Sequence, residues 1–381
     1  MKNYMSRTST KVLAGFLLGI TSAGGIATAN GVFSTTVVNA CVAKKSKIIY
    51  AAIDNSCPKN RTPVTLGSAG SVAGSISSIV TRVFPTVVTV NVSTPNGGGT
   101  GSGAIFKSSN SISYVVTNNH VIEAAANNTG NIKVELDDGD SYIATIVGRD
   151  PNYDLAVLKI NKGDLPTIDI GDSLSIKIGD QVIAFGSPLG LDHTVTSGIV
   201  SSVNRPVVTG DGITSTESYV DAIQTDASIN PGNSGGPLTD SLGRMVGINV
   251  ATATLGSLTG QSGSIGLGFA IPINQALRIM NEIIDTGKAT RPVLGVYFDN
   301  SFTTGSGAKI SSLVPGDAAQ RAGIPAGAVI TSIEGVRIAD YLSAIVRIRS
   351  YAPGDEVTIT VTMPSGASKD FTLKLGSALS E

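Results

Sequence analysis

Tryptophan is absent from this 381-residue chain, aromatic residues make up only 5%, and there are two cysteines and two histidines. Two isolated histidines, and two cysteines with no histidine beside them, exclude a plausible zinc site, which needs a clustered set of nitrogen and sulfur ligands. Nothing else in the chain points to a cofactor. Charge is scarce as well: 14% of residues are charged, the net charge is −1, and no long basic block occurs. Phosphate binding requires clustered Lys and Arg, so nucleic acid is excluded as the main partner. Internal repeats, collagen-like periodicity and low-complexity polar tracts are also missing. Glycine is abundant instead, at 45 residues. It reaches positive φ without steric cost and so suits many short strands joined by tight turns. The length allows about two or three domains with cores of their own.

No acidic residue precedes Asp54. Lys2, Arg7 and Lys11 form a basic flank over residues 1–11, followed by a weakly polar run over 12–33. Basic flank and apolar run together describe a secretory signal or an uncleaved anchor. The run is about the 20 residues a helix needs to cross the hydrocarbon core. Ala27-Thr28-Ala29 also fits a small-residue cleavage site, so a single-pass anchor with the bulk of the chain extracytoplasmic and a secreted, cleaved form both stand. Residues 34–75 read as an extracytoplasmic linker, small and polar from Asn60 onwards. Within it, Cys41 and Cys57 would most simply form one disulfide in an oxidising compartment.

Beyond the linker, short β-type runs dominate: Thr86 to Val92, Tyr114 to Thr117, Ile132 to Leu136, Tyr142 to Val147, Leu155 to Ile160, Gln181 to Phe185, Val195 to Val203, Met245 to Val250 and Gly268 to Ile271. Gly97 to Gly103 reads as a Gly/Thr/Ser turn. Each run is bounded by Gly, Asp, Asn or Pro, as an antiparallel barrel or sandwich requires. Asn274 to Asp285 has helical spacing, with Gly287 placed as its C-terminal cap. After a boundary near Arg291-Pro292 the texture alternates strand, helix and strand. Strands are expected at Val293 to Phe298, Lys309 to Val314, Val329 to Ile333, Glu356 to Thr362 and Asp370 to Leu375. A helix is expected over Asp340 to Ser350, with Leu342, Ile345, Val346 and Arg349 on one face.

Three local signals carry chemistry. Thr117-Asn118-Asn119-His120 ends a β-run in a histidine, Asp154 heads the apolar strand Leu155-Ala156-Val157-Leu158, and Ser234 stands in the glycine-dense turn Gly232-Asn233-Ser234-Gly235-Gly236-Pro237. A serine hydroxyl is a poor nucleophile until a neighbouring imidazole accepts its proton. A carboxylate then holds that ring in one tautomer and stabilises the imidazolium. The N–H groups of Gly232 and Ser234 can form an oxyanion hole. The order His, Asp, Ser is that of chymotrypsin-type proteases; α/β-hydrolases need serine first, which weakens a non-proteolytic hydrolase reading. The other histidine, His193, reads as a solvated loop residue, and Asp169, Asp172 and Asp180 as turn residues.

These motifs, together with Thr196-Ser197-Gly198-Ile199-Val200-Ser201, Gln224-Thr225-Asp226-Ala227 and Gly268-Phe269-Ala270-Ile271-Pro272, resemble the HtrA (DegP-like) family of serine proteases. The resemblance implies a mostly β architecture: a trypsin-like double β-barrel protease domain over 76–287, then a small α+β PDZ domain over 291–377. It also implies ATP-independent degradation of misfolded exported proteins and assembly into homo-oligomers, trimers or multiples of trimers.

In such a fold the residues before the nucleophile line the pocket for the side chain preceding the scissile bond. Ser228 and Ile229, and by family similarity Ile248 and Asn249, carry no acid, which predicts small or medium aliphatic side chains in the substrate. Leu294-Gly295-Val296, Leu313-Val314-Pro315-Gly316-Asp317 and Gly327-Ala328-Val329-Ile330 resemble the PDZ domain of the same family. Such domains add an extended peptide to a sheet edge and capture its carboxylate with backbone N–H groups, here by resemblance those of Leu294, Gly295 and Val296. The expected partners are unfolded or partly folded proteins, C-terminal peptides and, through the N-terminal segment, the membrane. A rival of another class is a peptide-binding chaperone or scaffold whose protease domain is latent.

Overall fold

The computed structural model describes residues 38–43, 49–51, 57–58, 61–66, 75–126, 130–187, 193–209, 218–251, 266–303 and 305–380. The anchor or signal expected over 12–33 lies outside the described residues. No helix among the described residues is long and apolar enough to cross a membrane. The chain divides into two units, 1–72 and 73–381.

In the first unit, β1 (Val38–Ala43), β2 (Ile49–Ala51) and β3 (Arg61–Leu66) form an antiparallel sheet in the order β2-β1-β3. Cys41 and Cys57 are joined by a disulfide. The stretch from Asn60, read above as linker, therefore contains a strand. Its Thr62, Val64 and Thr65 are β-branched and favour extended backbone, a signal masked by the small polar residues around it.

The second unit opens with α1 (Ile76–Val83), whose Ser75 side chain caps it by accepting from Ser78 N. Six strands then close a barrel: β4 (Val87–Thr94), β5 (Gly97–Ser108), β6 (Ser113–Thr117), β7 (Asn131–Glu135), β8 (Ser141–Asp150) and β9 (Leu155–Ile160). A short α2 (Asn119–Ile122) follows β6. Six more close a second barrel: β10 (Gln181–Gly186), β11 (Thr194–Thr209), β12 (Ser218–Thr225), β13 (Pro237–Asp240), β14 (Met245–Val250) and β15 (Gly268–Pro272). The turn expected at Gly97–Gly103 is instead strand, paired with β4 from Thr94↔Gly97 to Val88↔Gly103. Glycine carries almost no β signal, yet it is required here. A Cβ on Gly101 would lie 2.7 Å from the Val121 side chain, and one on Gly103 2.6 Å from that of Val115.

Helix α3 (Ile273–Thr286) buries Ile273, Ala276, Ile279, Met280 and Ile283 against both barrels, in one core with Leu155, Phe185, Met245 and Ile271. Gly287 ends it in a left-handed conformation, its N–H donating to Ile283 O at 2.8 Å. That is the cap the sequence predicts.

The C-terminal part has a core of its own. Its main sheet runs β17 (Val296–Phe298), β18 (Ala308–Leu313), β19 (Val329–Ile333), β21 (Glu356–Thr362), β22 (Ser368–Lys374), with β20 (Val336–Arg337) paired to β19. In β21 the buried Val357, Ile359 and Val361 alternate with more exposed neighbours, the period of two of a half-buried strand. Helices α4 (Ala318–Ala322) and α5 (Tyr341–Arg349) pack on this sheet, α5 opening with a capping box between Asp340 and Ser343. The single strand expected over Val293 to Phe298 is broken in two by Gly295, at φ 75°. Val293 instead ends β16 (Thr290–Val293), which pairs with the terminal strand β23 (Gly376–Leu379).

Candidate active site

Register brings the first two groups together. Strands β6 and β9 are antiparallel with Thr117 opposite Ala156. The residues that follow Thr117 therefore lie beside those that precede Leu155. His120 is at the start of α2, and Asp154 closes a 3-10 turn over Pro151–Tyr153. Asp150 builds that turn, its Oδ1 accepting from Asn152 N at 3.0 Å and Tyr153 N at 3.3 Å. Asp154 itself is left-handed at φ 54°, a conformation that Asp tolerates better than most residues. Asn118 Nδ2 donates to its carbonyl at 2.9 Å.

His120 Nδ1 lies 3.0 Å and 2.8 Å from the two carboxylate oxygens of Asp154, and His120 N donates to Oδ1 at 2.9 Å. An ionised carboxylate can only accept, so Nδ1 carries the hydrogen and Nε2 presents its lone pair. Asp154 is buried, while the imidazole keeps 21% of its surface exposed. Burial alone would lower the pKa of His120. The charge and hydrogen bond of Asp154, aided by Glu123, outweigh it and raise the pKa above its ordinary 6.5.

Ser234 lies between β12 and β13, in the second barrel, and is 5% exposed. A Cβ on Gly235 would be 2.4 Å from Thr117 Oγ1 and 3.1 Å from Asn118 N, so the serine's loop packs against the segment leading to His120. Ser234 Oγ accepts a hydrogen bond from Ala251 N at 3.2 Å, and no hydrogen bond joins it to His120 among the described residues. Two members of the expected triad are therefore present as a bonded pair, while the hydroxyl of the third is engaged by Ala251 N.

The backbone around the serine is almost fully paired. Asn233 N donates to Asn230 O at 2.9 Å, Gly235 N to Asn249 O at 3.0 Å, and Gly236 N to Asn233 O at 3.0 Å. Among the described residues, the N–H groups of Gly232 and Ser234 alone in this run have no partner. Buried backbone donors are rarely left unpaired. Two on either side of one peptide link, beside a serine hydroxyl, are available to an oxygen that develops negative charge. Gly232 takes φ 104°, which a residue with a Cβ seldom adopts.

The four residues expected to line the substrate pocket are placed differently from one another. Ser228 is exposed, its carbonyl accepting from Thr196 Oγ1 at 2.8 Å. Ile229 is fully buried, and a Cβ on Gly268 would meet its side chain at 3.0 Å. Ile248 is fully buried in the core shared by the barrels. Asn249 is fully buried too, and its Nδ2 donates to Phe185 O and Pro237 O at 3.0 Å and 3.2 Å. These last two side chains are engaged in supporting the strand behind the serine. His193, read as solvated, is in fact paired: its Nε2 lies 2.8 Å from Asp137 Oδ1 and its ring 4.4 Å from that of Phe84.

Between β17 and α5 lies a cavity of about 480 Å³, lined by Leu294, Gly295, Val296, Tyr341, Ile345 and Ile348 among others. The N–H groups of Leu294 and Gly295 have no partner among the described residues. Arg349 lines the cavity and also reaches the 3-10 turn ahead of Asp154, where it bonds Asn152. Sequence spacing put Arg349 on the helix face with Leu342, Ile345 and Val346, but held no signal of this long-range contact.

Two closed barrels with a histidine, an aspartate and a serine at their junction define a trypsin-like peptidase. The trypsin-like peptidase domain family matches residues 101–248. Serine protease PepD of Mycobacterium tuberculosis is 43% identical over 330 residues, covering 83% of this chain and 70% of that protein. Periplasmic serine endoprotease DegP of Salmonella typhimurium is 37% identical over 269 residues, covering 68% of this chain and 53% of that one. The chain thus spans little more than half the length of its DegP-like relatives. Among solved structures, HtrA-type protease AlgW with tripeptide is similar with TM-score 0.60 and 34% identity, covering 80% of this chain and 97% of that chain. The serine endoprotease from Yersinia pestis is similar with TM-score 0.53 and 32% identity, covering 80% and 98%. The chain belongs to the HtrA family of serine proteases and is a serine endopeptidase.

Proposed function

We propose that Ser234 is the nucleophile, His120 the general base and Asp154 the group that orients it, with the N–H groups of Gly232 and Ser234 receiving the oxyanion. The observation that carries this assignment is the bonded His120–Asp154 pair together with two unpaired donors beside Ser234. In the reaction, Ser234 Oγ turns to His120 Nε2, gives up its proton and attacks the scissile carbonyl. The imidazolium next to Asp154 then protonates the leaving amine. Water activated by the same ring hydrolyses the acyl-enzyme.

The proposed substrates are unfolded or partly folded exported proteins, cut after small or medium aliphatic residues. The disulfide between Cys41 and Cys57 supports an oxidising compartment, and the relatives named periplasmic support export. The C-terminal domain is proposed to act as a PDZ module, holding a peptide between β17 and α5 with its carboxylate at Leu294, Gly295 and Val296. The proposed assembly is a homo-oligomer built on trimers, held to the membrane or released according to whether residues 12–33 are kept.

The test is casein digestion by the wild type and by Ser234→Ala, each with and without residues 291–381. Cleavage should vanish with the hydroxyl while the circular dichroism spectrum and melting temperature are retained. Continued cleavage by pure Ser234→Ala protein would overturn the assignment.

A further inference from the structure

The peptide unit that carries the Ser234 N–H lies between two others, and both of these are held by one residue of the other barrel. Ser102 Oγ donates to Gly232 O at 2.5 Å, and Ser102 N donates to Ser234 O at 2.8 Å. Ser102 is fully buried in β5. Its remaining polar capacity is used as well. Its Oγ accepts from Ser187 N at 2.7 Å, and its carbonyl accepts from Thr117 Oγ1 at 2.7 Å. Ser187 Oγ in turn accepts from Thr89 Oγ1 at 2.5 Å. One serine therefore ties the segment that bears His120, the end of β10 and the nucleophile's loop.

We propose that Ser102 is a positioning residue for the oxyanion site, clamping the peptide units on both sides of the one whose N–H must meet the developing charge. The proposal rests on the reading of Ser234 as nucleophile. An amide donor stabilises an oxyanion strongly only when it is aimed beforehand, because reorientation during the reaction would cost part of the gain. Gly232 and Gly235, at φ 104° and 86°, have no Cβ to restrict them. The loop's own bonds, Asn233 N to Asn230 O and Gly236 N to Asn233 O, leave the carbonyls of Gly232 and Ser234 to be fixed from outside it, and Ser102 holds both. Alanine at 102 keeps the N–H but leaves Gly232 O and Ser187 N buried without partners. The 232–233 peptide keeps the bond from Asn233 N to Asn230 O but loses the one that fixes its carbonyl, so it can tilt, and the Ser234 donor tilts with it. A role in packing alone would lower stability without changing the chemistry of each folded molecule.

The experiment compares wild type, Ser102→Ala, Ser102→Thr and Ser102→Cys by melting temperature, by the rate of Ser234 labelling with a fluorophosphonate, and by kcat and KM on a fluorogenic peptide that the wild type cleaves. Ser102→Ala should lose about 10²-fold in labelling rate and in kcat, the scale of one oxyanion donor, with KM moving less than about threefold. Ser102→Thr keeps the hydroxyl and should stay within about tenfold of wild type, with Ser102→Cys between the two. Folded Ser102→Ala with wild-type labelling and kcat overturns the proposal. If that variant fails to fold, wild-type rates in folded Ser102→Cys overturn it in the same way. A wild type that cleaves peptide yet is not labelled at Ser234 would instead refute the nucleophile assignment, so the two failures are distinguishable.

Discussion

Arg349, the last residue of α5, donates to both the carbonyl and the side-chain oxygen of Asn152 at 3.3 Å, two positions ahead of Asp154. Its guanidinium also lies 4.8 Å from the ring of Tyr219. Its own carbonyl accepts from Tyr153 Oη at 3.1 Å and from Gln275 Nε2 at 2.7 Å. The C-terminal part of the chain is thus bonded directly to the turn that presents Asp154.

Replacing Arg349 with Ala should loosen that turn without touching the triad. Lost hydrogen bonds and ring stacking should lower stability by about 1–3 kcal/mol, measured by urea unfolding. Turnover should fall by no more than about tenfold, because the Tyr153 and Gln275 bonds go to backbone and survive (a change of about 1.4 kcal/mol). A variant as stable as wild type would show that the contact contributes nothing.

Asp154→Asn should be far more damaging. Asparagine can donate to Nδ1, which would stabilise the tautomer with its hydrogen on Nε2 and deprive Ser234 of its base. In a chymotrypsin-type triad this change costs about 10⁴ in turnover, and we expect a loss of similar order on a fluorogenic peptide. A loss below about tenfold would remove Asp154 from the mechanism.

The acid limb of the pH–rate profile should report His120. The ring must be neutral to accept a proton, so activity falls as pH drops through its folded pKa. Burial opposes the shift, but Asp154 and Glu123 overcome it, which puts the midpoint above the ordinary value of 6.5. Glu123→Gln should move the midpoint down. A wild-type midpoint below 6 would contradict the electrostatics of the site.

Asp221 pairs with Arg347 of α5 at 3.7 Å, and burial, only partly offset by that arginine, pushes its carboxyl from 3.8 up to about 6. A carboxyl with a raised folded pKa contributes stability that is fully present below its unfolded pKa and is lost as pH rises through the folded one. Between about pH 4 and 7, the melting temperature of Asp221→Asn relative to wild type should therefore climb with pH. A constant gap across this window would show that Asp221 does not titrate in the folded state as its burial requires.

Legibility from sequence varied with the kind of signal. Strands dense in apolar and β-branched residues, such as Leu155–Ile160, Val329–Ile333 and Glu356–Thr362, coincide with the structure residue for residue. The strand from Gly97 was hidden because glycine has no side chain to alternate, although close contacts with Val115 and Val121 demand it there. Ile248 and Asn249 were read as pocket wall by family similarity; both side chains are buried, and the bonds from Asn249 Nδ2 to the carbonyls of Phe185 and Pro237 had no local signal. Ser102, Thr89 and Ser187 went unremarked, since a serine in a glycine-rich run has no local feature that marks it as a clamp.

The sequence alone determined the chemical inventory and its order: a histidine closing one strand, an aspartate opening another, a serine among glycines, and enough short, turn-bounded β runs to require an antiparallel barrel or sandwich. Tertiary structure decided which backbone donors are left unpaired, where Ser102 and Arg349 reach, and which way the Ser234 hydroxyl points. The reason is range. Side-chain alternation and turn preference act over a few residues, whereas the Ser102–Gly232 and Arg349–Asn152 bonds join groups 130 and 197 positions apart. Only the packing of finished barrels and helices brings such groups within hydrogen-bonding distance.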